Sequence, residues 1–151
     1  MKNISGAGII VYYDNRKGLI TNLKNDIVFL VLEDNNGNYD FPKGGIEKNE
    51  DPVKCAVRET QEECSLRKDV HYYLQENKFV VSGSGLVMYL GNFLPKNYTS
   101  FFEDPKVIPN PHSGFMEHKE DHMWLTSQEI YRSKKLLRYL KKYLMWAQNN
   151  I

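Results

Sequence analysis

Apolar residues recur along this chain with a period of two in some stretches and near 3.6 in others. Residues 6–14 run from glycine and alanine into Ile9, Ile10, Val11, Tyr12 and Tyr13, which predicts a strand. Asp14 to Gly18 is turn chemistry. Residues 26–33 are apolar on both faces and predict a central strand. The turn Asp-Asn-Asn-Gly-Asn at 34–38 predicts a hairpin, with a short strand at 39–41 behind it. Residues 42–50 read as a loop holding Gly44 and Gly45. Residues 70–81 and 86–94 predict two strands around Ser82-Gly83-Ser84-Gly85, and residues 123–125 a closing strand.

Two segments carry helical spacing. Asp51 is a good N-cap and Pro52 suits the first helical position. Val53, Ala56, Val57, Thr60 and Cys64 follow on one face, and the helix should end near Ser65. Thr126-Ser127-Gln128-Glu129 forms a capping box for a final helix, with Ile130, Leu137, Leu140, Leu144 and Ala147 on one side. Between them, residues 95–114 hold four of the six prolines, together with Tyr98, Phe101 and Phe102, and predict a long loop, either functional or disordered. The order of strands, helix, strands and helix predicts an α+β domain, a mixed sheet sandwiched by helices.

The length of 151 residues fits one domain over residues 1–151. Lys and Arg total 20 against 19 Asp and Glu, so a wholesale basic field for long nucleic acid is excluded. A local basic stretch remains: Arg132, Lys134, Lys135, Arg138, Lys141 and Lys142 fall in the final helix with no acid among them. They fit either contact with RNA or a polyphosphate, or the wet face of an amphipathic helix. No apolar run approaches the roughly 20 residues of a membrane span, so no membrane partner is expected. Cys55 and Cys64 cannot form a secreted-type disulfide framework, and the N-terminus lacks a signal-peptide pattern. Both point to a cytoplasmic, intracellular protein. His112, His118 and His122 lack zinc-site spacing.

The chemistry concentrates in residues 44–66, GGIEKNEDPVKCAVRETQEECSL. Glu59, Glu62 and Glu63 stand at i, i+3 and i+4 and share an arc of about 100° on one helix face. Like charges at that spacing repel, and late in a helix the macrodipole disfavours anions. A hard divalent cation would turn that cost into binding. Taken alone, the trio reads equally as a solvated charged face. Arg58 stands four residues before Glu62 and can hold a carboxylate with its planar fork. Gly44 and Gly45, without Cβ atoms, allow a close approach and a backbone carbonyl for a metal.

The spacing resembles the signature of the Nudix hydrolases. Gly44 is followed by five residues to Glu50, seven more to Arg58-Glu59, and then Glu62-Glu63 and Leu66 at the required places. Thr60 replaces an aliphatic residue and Ser65 replaces a glycine. The resemblance implies an α/β/α sandwich and a hydrolase for a nucleoside diphosphate linked to another moiety. It implies Mg2+ or Mn2+ held by Glu59, Glu62 and Glu63 with the Gly44 carbonyl, and Glu50, Gly45 and Arg58 ordering the site. Glu59, Glu62 and Arg58 are the expected catalytic groups. Glu120, near Glu117 and Asp121, is the candidate later-loop base.

Phe41-Pro42-Lys43-Gly44 narrows the substrate only slightly, with Lys43 a candidate phosphate contact. The element is similar to diadenosine tetraphosphate hydrolases of the animal type, the first expectation for the substrate. It also resembles bacterial RNA 5′-pyrophosphohydrolases, messenger RNA decapping enzymes and diphosphoinositol polyphosphate phosphohydrolases. A non-catalytic Nudix-fold nucleotide-binding module is a further alternative, although the three signature acids are all present. Oligomeric state is not legible.

Overall fold

The computed structural model describes residues 3–95, 107–109, 116–118 and 121–151. A mixed sheet forms the middle layer. Strand β1 (Gly6–Asp14) is its axis. It pairs antiparallel with β2 (Ile27–Glu33) and, from its first residues, with the short β4 (Lys43–Gly45). On its other side it runs parallel to β6 (Leu86–Phe93), which pairs antiparallel with β5 (Tyr72–Val80). Strand β3 (Tyr39–Asp40) and strand β9 (Asp121–Thr126) both pair with β2. A separate hairpin joins β7 (Val107–Pro109) to β8 (Met116–His118).

The period-two alternation of β1 divides the core in two. Ala7, Ile9, Val11 and Tyr13 join Val28, Leu30, Leu32, Val87 and Phe93 on the face covered by helix α1 (Pro52–Cys64). Ile10 and Tyr12 join Phe29, Val31, Phe41, Met88 and Leu90 on the other face. That second face is covered by helix α2 (Ser127–Ser133), a 3-10 turn at Arg138–Leu140 and helix α3 (Lys141–Asn149). Each fully buried Leu, Ile or Phe contributes about 1.5–3 kcal/mol of burial energy, and both faces are needed to hold β1. The architecture is the expected α+β sandwich with a mixed central sheet.

Helix α1 begins as its sequence predicts. The Asp51 carboxylate accepts from the Lys54 N–H at 2.9 Å, and Pro52 opens the first turn. Its inward face is Cys55, Ala56, Thr60 and Cys64. Val53 was expected there and is exposed instead, while Cys55 takes a buried place. Thr60 satisfies its hydroxyl on the Ala56 carbonyl at 2.8 Å, which lets it fill a buried aliphatic position. Ser65 takes the left-handed exit conformation, with φ of 60°, that a glycine would enter more cheaply.

Three expectations need correction. Residues 42–50 are not all loop, because β4 lies against Gly6–Gly8. Two of its three residues are glycines, so no apolar alternation announces it. The final helix is broken. Lys134 turns left-handed with φ of 57°, and residues 135–137 run extended beside Tyr39. The Tyr39 N–H donates to the Lys135 carbonyl at 2.7 Å and its carbonyl accepts from Leu137 at 3.1 Å, bonds a continuous helix would forfeit. The basic residues therefore form no single helical face: Arg132 lies in α2, Lys134 and Lys135 in the break, Arg138 in the 3-10 turn, and Lys141 and Lys142 in α3. The stretch 95–114 also contains strand β7.

Candidate active site

The carboxylates of α1 meet the backbone of β4 where β4 lies on β1. Gly8 permits that approach, since a Cβ there would strike Pro42 and Lys43. Gly44 permits the next one: a Cβ on Gly44 would occupy the space taken by the Glu59 carboxylate. Gly45 faces open space. Glu63 accepts from the Lys43 backbone N–H at 3.1 Å. The Cys55 thiol points at the carbonyls of Gly44 and Gly45, at 3.5 and 3.4 Å. The helix and the short strand are thus stitched together through residues 43–45.

Arg58 is the hub. Its Nε donates to Glu50 Oε2 at 2.8 Å and its Nη2 to Glu50 Oε1 at 2.9 Å. Nη2 also reaches the Gly45 carbonyl at 2.9 Å. Nη1 donates to Glu59 at 2.9 Å and to Glu62 at 3.3 Å, and Glu47 lies 3.4 Å away. One guanidinium thus faces four carboxylates, and Glu63 adds a fifth acid to the neighbourhood. Burial raises the Glu59 carboxyl above its ordinary pKa, and the adjacent Glu62 charge adds to the rise. The region is short of positive charge by several units.

That deficit and the donor chemistry fit a hard divalent cation, because carboxylates and a carbonyl are the ligands such ions take. The cradle at Gly44 fits it too, since only a residue without Cβ leaves room for Glu59. Among the described residues, no three His, Cys, Asp or Glu side chains stand as a ready cluster of metal ligands; Glu59 and Glu62 are turned to Arg58. A cleft of ≈ 440 Å³ runs along the outer side of α1, with Arg58, Glu62, Lys54 and Lys68 among its lining.

The structure brings together Gly44, Gly45, Glu50, Arg58, Glu59, Glu62 and Glu63. Lys43 stands beside them, but its amino group is engaged by Asp40 at 3.2 Å and lies 5.5 Å from the Tyr139 ring centroid. Asp40 and Tyr139 were not anticipated. Asp40 stands three residues before Lys43, which was a readable signal. Tyr139 arrives through the break in the C-terminal helix, which periodicity does not reveal. Glu120, Tyr98, Phe101 and Phe102 lie outside the described residues, as do the side chains of Glu117 and Asp121.

Residues 3–147 match the family model described as NUDIX domain. The chain therefore belongs to the Nudix family, a family of pyrophosphohydrolase enzymes that generally use divalent metal ions. Solved structures agree on the fold. The chain is similar to the Ap4A hydrolase of C. elegans, with 19% identity over 87% of this chain and 86% of that one, at a TM-score of 0.54. A binary complex of a C. elegans Ap4A hydrolase gives 19% identity over 85% and 84%, at 0.55. The Nudix hydrolase RenU from M. smegmatis gives 10% identity over 100% and 90%, at 0.60. No curated protein matches the chain at a significant level. Among the described residues no helix is long and apolar enough to cross a membrane.

Proposed function

We propose that residues 1–151 work as a single Nudix domain that hydrolyses a dinucleoside polyphosphate, diadenosine tetraphosphate first, to two nucleotides in a Mg2+- or Mn2+-dependent reaction. The observation that carries this reading is the charge-deficient group of Glu59, Glu62 and Glu63 beside the Gly44 cradle. Those three carboxylates and the Gly44 carbonyl would hold the metal. Such an ion neutralises phosphate oxygens and lowers the pKa of bound water. Arg58 locks the acid-rich loop at Glu50 and orients Glu59 and Glu62. Water attacks phosphorus, one phosphoanhydride P–O bond breaks, and the proton passes to a carboxylate. Glu120 is the candidate acceptor from the later loop. Lys43 would exchange its Asp40 partner for a substrate phosphate.

The substrate class is supported by the Phe41-Pro42-Lys43-Gly44 element and by the names of the C. elegans neighbours. The cytoplasm suits a chain whose two cysteines are free and buried. The test is a metal-dependent turnover panel on the purified chain. It compares diadenosine tetraphosphate, capped RNA, 5′-triphosphorylated RNA and a diphosphoinositol phosphate, with Glu63→Gln as the blank. Release of ATP and AMP from diadenosine tetraphosphate is the expected result. Preference for any other substrate, or turnover undiminished in Glu63→Gln, overturns the reading.

A further inference from the structure

Strand β4 brings no apolar side chain to α1. Two of its three residues are glycines, and the third, Lys43, sends its side chain to Asp40 and Tyr139. Its backbone is bonded instead by three side chains of the helix. Glu63 accepts from the Lys43 N–H at 3.1 Å, and Arg58 Nη2 donates to the Gly45 carbonyl at 2.9 Å. The third is Cys55, whose Sγ lies 3.5 Å from the Gly44 carbonyl oxygen and 3.4 Å from that of Gly45. The residue is fully buried, and the Ala7 backbone and the Glu50 carboxylate also lie within hydrogen-bond reach of its sulfur. The thiol thus stands where α1, β4, β1 and the entry loop of the helix meet.

The three ties differ in what a bound cation would do to them. Glu63 is one of the carboxylates proposed to hold the metal, and Arg58 divides its guanidinium among Glu47, Glu50, Glu59 and Glu62. Turning these acids toward a cation draws on both ties. The Cys55 tie draws on neither, since a thiol is a neutral, weak donor and burial raises its pKa further. A cation at position 55 would compete for the acids, and an anion would add to their repulsion. An aliphatic side chain would offer the two carbonyls no donor. The seven residues between Glu50 and Arg58 are unspecified in the family spacing, so this thiol is a feature of the chain itself.

We propose that Cys55 is a positioning residue of the hydrolase. Its buried thiol pins β4 to α1, so that the backbone of residues 43–45 keeps its place beside Glu59 and Glu63 while those carboxylates turn to a divalent cation. The proposal rests on the reading of Glu59, Glu62 and Glu63 as the groups that hold the metal. Cys55 itself touches neither metal nor substrate; it acts through the backbone of Gly44 and Gly45.

Mn2+ binding to the full chain, followed by electron paramagnetic resonance of the free ion, tests this without turnover. Cys55→Ala and Cys55→Val lack a donor and should raise the Mn2+ Kd about tenfold, the lower end of the cost of removing a group that orients a metal ligand. The valine variant fills the space and keeps the measurement available if the alanine cavity prevents folding. Cys55→Ser keeps a donor and should bind within about twofold of wild type. Val87→Ala lies in the same apolar cluster but on β6. It should lower the melting temperature and leave the Kd within about twofold. A wild-type Kd in a folded alanine or valine variant overturns the proposal, as does a serine variant that binds as weakly as they do. Glu63→Gln in the same assay separates the two readings. Weakened binding there, with unchanged binding in the Cys55 variants, overturns the role of Cys55 alone. Unchanged binding in Glu63→Gln overturns the metal reading and the role of Cys55 with it.

Discussion

Arg58 grips Glu50 with two nitrogens at 2.8 and 2.9 Å, joining the loop before α1 to the middle of that helix. The same guanidinium reaches Glu59 and Glu62, so the grip on Glu50 decides how these acids are presented. Arg58 lowers the Glu50 carboxyl to about 2. An unfolded glutamate titrates near 4.3. The folded pKa is depressed, so the contribution is fully present above the unfolded value and is lost as pH falls through the folded one. Urea unfolding of wild type and Glu50→Gln from pH 7 to pH 2 should show a stability gap that is constant above about pH 5.5 and shrinks below it. A gap independent of pH would sink this account.

Glu63 accepts a backbone bond from Lys43 that glutamine can also accept. Glu63→Gln should therefore melt close to wild type. Metal-dependent turnover should drop on the order of a hundredfold or more, the usual cost of losing one charge-stabilising group. Differential scanning calorimetry beside the turnover panel separates the two effects.

Adjacent glycines give a sharper contrast. At Gly44 a methyl group would displace the Glu59 carboxylate, whereas at Gly45 it would meet nothing. Gly44→Ala should raise the Mg2+ concentration for half-maximal activity and lower kcat. Gly45→Ala should alter both little. Equal effects from the two substitutions would mean that Glu59 does not use the space over Gly44.

Burial raises the Cys55 thiol to about 11, and Cys64 is fully buried. At pH 8 about one Cys55 in a thousand is thiolate, so a thiol-disulfide reagent should titrate neither cysteine in the folded chain. Both should react once the chain is unfolded in guanidinium. Rapid labelling of the native protein would contradict the packing of α1 on β4.

Ser65 holds a left-handed conformation at the end of α1, a strain of about 1 kcal/mol for a residue with a Cβ. Ser65→Gly should recover part of it and raise the melting temperature by a few degrees. A lower melting temperature would show that the serine side chain contributes something the backbone argument omits.

Much of the fold was legible because it rests on strong local signals. The β-branched run of β1, the Asp51-Pro52 cap and the Thr126 capping box each encode their element within a few residues. The candidate site was legible for the same reason: Glu50, Arg58, Glu59, Glu62 and Glu63 are spaced by one helix and its entry loop. What stayed hidden is what tertiary contact decides. Strand β4 is two-thirds glycine and exists because Gly6–Gly8 lets it approach. The break at Lys134 sits inside a stretch whose apolar spacing suits a helix, and only the backbone of Tyr39 shows why it opens. Tyr139 could not be joined to Lys43 without that break.

The extended segment at residues 135–137 has a consequence for the chain among its neighbours in solution. Strand β3 is only two residues long and continues the edge of β2 that β1 also uses, while β9 takes the opposite edge of β2. Its Tyr39 spends its N–H and its carbonyl on Lys135 and Leu137. A bare strand edge is a template on which other chains add and aggregate. Here the protein's own C-terminal segment takes that place first, so the open edge of β3 offers a newcomer little to pair with.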